Sequence, residues 1–533
     1  MHLFGFDFRD PVFDVGGWKL SFQVITLENV YGLDSAAISV QEQGDRWRLD
    51  ATRLSFAGQQ QHAPGTVQVQ ITSGGGSRLH IQISATAPHK IRAIKLSLRG
   101  FPSLKLLDLL EQEPANDIVR QRYPNDLRIP LASARTSDGV TLVARCDDRQ
   151  CRAKRFAVFT EPMGPLAGTM TLECIHEEDA RHFDTQITVP EWVIDREPDL
   201  AAFREEYLGF AERELGLVPW DQRTDFPAWV RDIQLVLTLH GMHWSGYTFN
   251  SYDQMRDILR FVCQRIDGRH ILAYLPGWEG RYYWQYGDYR PEPLLGGAEG
   301  FARLCDEARA LGVHVMPMFG ANCANAWFPN FHTFGPSSTM KSASRNVFLG
   351  NQPDWDNSRA QDTGWQAWLN PGAPAWQTEL TRQILTLVDR YQFDAVFLDT
   401  VEVWTNDPDF NLREGYQQLV SRLRAGRPNL LITGEDWWDG LLSIFPIFQQ
   451  SGHWRQVPAW VGRYVRLMGH ICDSEPSRGS TGVFEAGTTP YQRLPDEARY
   501  IPTLAFVDGT LDQAQAEVET VIEIARQRVS GRT

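Results

Sequence analysis

The sequence predicts an α/β protein with an all-β domain in front of it. A β-sandwich covers residues 1–195, a bridging helix and linker 196–225, and a (β/α)8 TIM barrel 226–533. Three observations carry this reading. Short alternating apolar and polar stretches fill the chain up to about residue 195. A polar helical stretch then runs into Pro219 and Pro227, and beyond it apolar runs of strand length alternate with amphipathic helices to the last residues.

The alternation is clearest in 67–71 and 79–83, which flank Ser73-Gly74-Gly75-Gly76-Ser77 and read as a β-hairpin. Similar stretches at 18–25, 91–98, 141–144, 155–160 and 169–174 have the spacing of an antiparallel sandwich. The segment DLAAFREEYLGFAEREL (199–215) is the bridging helix. Strand-like runs then fall at 233–239, 271–275, 313–319, 395–398, 430–433 and 502–507. Helices fall at 252–266, 300–311, 376–390, 414–424 and 511–529. Continuous apolar strands alternating with helices imply a parallel sheet covered on both faces, and about 300 residues suit a barrel with long loops better than a doubly wound sheet. The sixth and seventh strands fall somewhere in 441–500, where no run identifies them. The final helix has an apolar stripe opposite its charges and reads as a barrel-packing helix.

Composition narrows the function. The chain of 533 residues is 42% hydrophobic and 22% charged, as in an ordinary globular protein, and its formal charge of -14 argues against gripping a nucleic-acid backbone. The 18 Trp, 15 Tyr and 28 Phe suit stacking on sugar rings or simple core packing. MHLFGFDFRDP lacks a basic segment followed by an apolar one, and no run of 18 apolar residues occurs; the expectation is a cytoplasmic protein without a membrane partner. Seven scattered cysteines, of which only Cys146 and Cys151 lie close together, read as reduced thiols. His240 and His243 are spaced HxxH but have no third ligand near them in sequence, so no metal and no organic cofactor is expected.

In a (β/α)8 barrel the active site forms at the carboxyl ends of the strands. Polar residues directly after apolar runs are therefore the candidates: His240 after IQLVLTL, Trp278 and Glu279 after ILAYLPG, Asn322 after VHVMPMFGA, Asp399 after FDAVFL, and Glu435 after LLITG. Two carboxyl groups on neighbouring strands, about 4.8 Å apart, suit cleavage of a glycosidic bond, where one group attacks or activates water and the other protonates the leaving oxygen. Their spacing favours the ~5–5.5 Å separation of a retaining pair. A strand-end Asp or Glu also serves as a helix cap or ion-pair partner, and position alone does not separate the two roles.

The segments GWEGRYYWQYGDYRPEPLLGGAEGFARLCDEARALGVHVMPMF (277–319), WLNPGAPAWQTELTRQIL (368–385), FDAVFLDT (393–400) and ITGEDWW (432–438) resemble the barrel of retaining α-glycoside hydrolases. The likeness is to endo-α-N-acetylgalactosaminidase-type enzymes and their uncharacterised relatives, with a looser one to α-amylase- and α-galactosidase-type barrels. It covers about residues 230–440. It implies that Asp399 is the nucleophile and Glu435 the acid/base, and that the N-terminal sandwich is galactose-mutarotase-like. It also implies a carbohydrate substrate with an α-glycosidic bond. Those enzymes often carry a further β-domain after the barrel, whereas the barrel helix 511–529 is the last element expected in this sequence. A transglycosylase using the same residues, or a non-catalytic carbohydrate-binding barrel, remains open.

The same reading assigns sugar contacts to His240, Trp278, Glu279, Asp288, Asn322, Trp404, Trp437, Trp438 and Asp473, with Trp437 and Trp438 also forming an apolar wall that raises the pKa of Glu435. Structural roles compete for each: loop packing for 278–289, a satisfied core histidine for His240, solvation or ion pairing for Asp473. Glu402 and Asp407 are the rivals of Glu435 for the acid/base role. The connection 320–370 is long enough to be a lid or subsite wall, or a small inserted subdomain.

Overall fold

The alternating stretches of the first two hundred residues become antiparallel strands, and the apolar runs after residue 230 become parallel ones. The computed structural model describes residues 2–6, 10–243, 246–281, 283–347, 365–450, 457–469, 497–507 and 510–531. Two compact units result, Met1–Leu217 and Val218–Thr533.

In the first unit sixteen strands join in one antiparallel sheet, thirteen of them along a single path. The path folds into two layers at the short strand Val30–Leu33, which pairs with Trp18–Thr26 on one side and Arg46–Phe56 on the other. The expected hairpin is there: Gln61–Gly75 pairs with Arg78–Thr86, with Val69 opposite Ile83 and Ile71 opposite Ile81. All four side chains are buried. Between the layers Phe156 meets Trp192 edge-on at 5.8 Å, so the inward residues of both layers share one core. The helix Leu200–Glu214, started by Asp199 accepting from the Ala201 and Ala202 amides, belongs to this unit. Arg145 fixes it, with its guanidinium 4.5 Å from the Phe203 ring centroid and ion-paired to Glu206. The division between the two units falls at Leu217, within the stretch 196–225.

The second unit is a parallel barrel. Its strands in chain order are Leu235–Leu239, Ile271–Leu275, His314–Gly320, Ala395–Asp399, Leu431–Glu435, Ile447–Gln450, Arg466–Gly469 and Thr503–Phe506. The first seven pair each with the next, and the eighth lies beside the first. The seventh and eighth meet at the bridge between Leu467 and Tyr500 and through the Gly469 amide donating to Thr503 Oγ1 at 2.9 Å, which leaves the barrel nearly closed. Its interior is filled by side chains: the Tyr274 and Phe397 rings lie 4.7 Å apart, and Tyr274 Oη is 3.1 Å from Met318 Sδ.

Local signals set the helices. Ser251 and Gln254 form a capping box ahead of Tyr252–Cys263, Pro374 opens Pro374–Tyr391, and Asn411 caps Leu412–Gly426. The last helix, Thr510–Ser530, packs against the eighth strand. After the fifth strand the helix is a single turn, Asp439–Leu442, and after the sixth the described residues hold a 3-10 turn, Ala459–Arg463. The connection after the third strand carries a two-stranded ribbon, Cys323–Asn325 with Gln366–Trp368, and the helix Phe331–Ser338.

Candidate active site

Strand register brings Asp399 and Glu435 side by side. Leu398 pairs with Gly434, so the residues that follow stand at the same level of neighbouring strands, while Gly320 pairs with Asp399 and Gln449 with Glu435. One level below, Phe397 packs on Tyr274 inside the barrel. The period of two therefore turns Asp399 and Glu435 toward the mouth.

Asp399 is buried and accepts a hydrogen bond from Tyr286 Oη to Oδ2 at 2.6 Å. Tyr286 reaches it from the connection after the second strand because residue 320 is glycine: a Cβ there would lie 2.1 Å from Tyr286 Cδ2. Beyond Asp399 the chain turns sharply, with Thr400 at φ +64, a left-handed conformation that costs a β-branched residue about 1–2 kcal/mol. The turn aims the Thr400 amide at Glu435, which accepts from it at Oε2 at 2.9 Å. Asn322 holds the turn, donating to the Thr400 carbonyl at 2.7 Å and placing its own oxygen against Thr400 Oγ1. The Asn322 amide is spent on this backbone and on the Tyr416 hydroxyl, which gives the residue a positioning role.

Glu402 joins this group. Its carboxyl is pushed well above the usual range, first by burial and then by the charges of Glu435, Asp436 and Asp399. Oε2 of Glu402 has no hydrogen-bond partner among the described residues. Asp407, the other rival, is committed to the loop: it accepts from the amides of Lys341, Asp409 and Phe410.

Several expected sugar contacts are placed elsewhere. Trp278 is fully buried, stacks on Phe301 at 4.9 Å and donates from Nε1 to the Met318 carbonyl, so no ring face is open. The turn after the second strand folds inward, because the backbone at Gly277 lies against that of Met242 with no room for a Cβ. Trp437 and Trp438 are likewise packed, Trp437 edge-on to Trp460 at 5.5 Å and Trp438 over Gly440. They are core rings, not an open apolar wall for Glu435. Asp288 has a side chain 44% exposed and lies 3.7 Å from Arg290, on the outer side of its loop. His240 is fully buried, 4.8 Å from the Phe249 ring, and burial lowers the neighbouring His243 to about 4. Trp404 is half-buried beyond the turn that follows Asp399. Asp473 lies outside the described residues.

Glu279 is fully buried at the end of the second strand, and neither carboxylate oxygen has a partner among the described residues. Burial, helped by the charge of Glu292, pushes its pKa well above the usual range. Burial raises the Tyr286 and Tyr289 hydroxyls, and the nearby Glu279 adds to both. Beside it, Trp284 meets Trp365 and Trp327 edge-on at 5.2 and 5.8 Å, and Trp327 is 64% exposed. Tyr286, Thr400 and the Trp284–Trp327 pair escaped the strand-end rule; the density of aromatics in YYWQYGDY was the available signal. No group of three or more His, Cys, Asp or Glu side chains among the described residues has a metal-binding arrangement. None of the helices described is long and apolar enough to cross a membrane.

The family description "glycosyl hydrolase-like 10" matches residues 285–433, the stretch that holds Tyr286, Asn322 and Asp399. Among solved structures, ligand-free α-N-acetylgalactosaminidase NagBb from Bifidobacterium bifidum superposes with a TM-score of 0.60 at 13% identity, covering 97% of this chain and 90% of that one. Its complex with GalNAc gives 0.61 at 14%, covering 96% and 88%. The likeness is one of fold. A doubly substituted α-galactosidase AgaA of Geobacillus stearothermophilus, in complex with raffinose, follows with a TM-score of 0.50 at 10% identity, covering 95% and 75%. No curated protein matches the chain.

Proposed function

We propose that this α-glycosidase-like protein is a retaining hydrolase of α-glycosides, with Asp399 as nucleophile and Glu435 as acid/base. The observation that carries the proposal is the registered pair of carboxylates at the ends of the fourth and fifth strands. Strands about 4.8 Å apart put such a pair within the separation that double displacement needs. Asp399, ionised and oriented by the Tyr286 hydroxyl, attacks the anomeric carbon as Glu435 gives its proton to the departing oxygen. Water then takes up the glycosyl group as Glu435 recovers a proton, and hydrolysis restores both carboxyl groups. The GalNAc and raffinose complexes of the structural neighbours support an α-linked sugar in an oligosaccharide or glycoconjugate.

A second assignment of the acid rests on Glu402, whose pKa is pushed well above the usual range by burial and by the neighbouring carboxylates, which favours its protonated form. The two separate in one experiment: hydrolysis of a panel of aryl α- and β-glycosides by wild type, Glu435→Ala and Glu402→Ala, with azide as external nucleophile. Azide rescue of Glu435→Ala with retained configuration is the expected result. Rescue confined to Glu402→Ala transfers the role, and inversion of the product overturns the mechanism.

A further inference from the structure

A cavity of about 300 Å³ lies at the opposite end of the barrel, lined by Gln234, Arg231, Arg466, Arg528, Trp220 and Tyr500 together with small apolar side chains. Gln234 precedes the first strand, Arg466 starts the seventh, and Arg528 lies in the last turn of the final helix. This is therefore the amino-terminal face, away from Asp399 and Glu435.

Three features give the cavity a chemical character. Its lining holds three guanidinium groups and no Asp or Glu among the described residues, in a chain whose formal charge is -14. Each guanidinium is held in place through backbone carbonyls: Arg231 donates to Arg223 at 2.7 Å, Arg466 to Gly462 at 2.7 Å, and Arg528 to Tyr500 at 2.6 Å. Arg466 also lies 4.6 Å over the Trp220 ring. Finally, Gln234 is only 4% exposed, and its Nε2 has no hydrogen-bond acceptor among the described residues. A buried amide donor without an acceptor costs about 1–3 kcal/mol, a cost that a bound acceptor would remove.

We propose that this cavity binds a small organic oxyanion, a phosphate ester or a carboxylate on a body about the size of a monosaccharide. Guanidinium groups offer paired donors that match the oxygens of either group, and the Gln234 amide supplies a neutral donor beside them. Trp220, Tyr500, Val230, Ile233 and Ile501 give the body of the ligand an apolar seat. The site is independent of the hydrolytic reading.

The test is thermal unfolding of the full chain at constant ionic strength with glucose 6-phosphate, glucuronate, inorganic phosphate or uncharged glucose. A saturable rise in Tm with at least one of the three anions and none with glucose is expected, and the anion that acts names the group recognised. Gln234→Leu removes a buried donor with no partner to lose, so it folds with an unchanged or higher Tm, and it binds the anion about 10-fold more weakly or worse. Arg466→Lys keeps the charge but not the fork and weakens binding similarly. No response to any anion, or a response identical in both variants and wild type, overturns the proposal.

Discussion

At the carboxyl ends of its strands the barrel gathers Asp399, Glu402, Glu435, Asp436 and the buried Glu279, whereas at the amino ends Arg231, Arg466 and Arg528 surround a cavity. Part of this contrast is generic. Each helix starts near the end of the preceding strand, so helix N-termini favour carboxylates at one face and helix C-termini favour cations at the other. The consequences diverge because the two side chains answer crowding differently. A buried carboxylate among like charges relieves desolvation and repulsion by taking up a proton, as at Glu402, raised first by burial and then by the charges of Glu435 and Asp436. A guanidinium has no such outlet, since it stays charged at any working pH. One face is thereby suited to moving protons and the other to holding a fixed positive field.

The comparison breaks most sharply at Asp399. Asp399→Asn should lower kcat on an aryl α-glycoside by about 10⁴-fold or more and leave far-UV circular dichroism unchanged; activity near wild type would remove the residue from the chemistry. Tyr286→Phe deletes one hydrogen bond to a charged group, and its kcat/KM should fall about 10–100-fold with little change in Tm. Gly320→Ala tests whether the Tyr286 ring must lie against bare backbone. Because the added methyl meets the ring, the variant should lose about 1–3 kcal/mol in urea unfolding together with part of its turnover, and an unperturbed variant would show that the ring can shift freely.

The smallest effect concerns Glu279 and is read from pH dependence. Its folded pKa is raised above the ordinary 4.5, so the stability tied to its proton is complete below that value and is lost as pH rises toward the folded pKa. Glu279→Gln does not titrate. Its stability relative to wild type should therefore increase from about pH 5 to about pH 7, with a slope of at most about 1.4 kcal/mol per pH unit. Parallel stability curves would mean that a cation or donor compensates the carboxylate.

How far the sequence spoke for the structure depended on the length of each run. FDAVFL and LLITG are apolar runs followed at once by a carboxylate, and both proved to be barrel strands in adjacent register. The strands Ile447–Gln450 and Arg466–Gly469 were not legible, being four residues each, with a 3-10 turn as the helical element among the described residues between them. The strand-end rule named Asp399, Glu435 and Asn322, which the structure brings together with the Asn322 amide turned to backbone, and Trp278, which a turn folds back into the core, a thing a rule based on position does not see. Tyr286 could not be found that way at all. Its contact with Asp399 spans 113 residues and depends on the missing side chain of Gly320.

The buried thiols make the two compact units separately observable. Cys146 and Cys174 lie in the sandwich core, Cys305 and Cys323 in the barrel unit, and all four are free, with burial raising their pKa values. A thiol that is both occluded and protonated does not react with an alkylating reagent until the structure around it opens. The timing with which each cysteine becomes labelled, read by mass spectrometry of peptides, would then clock the opening of sandwich and barrel independently in one sample, with no probe added to the chain.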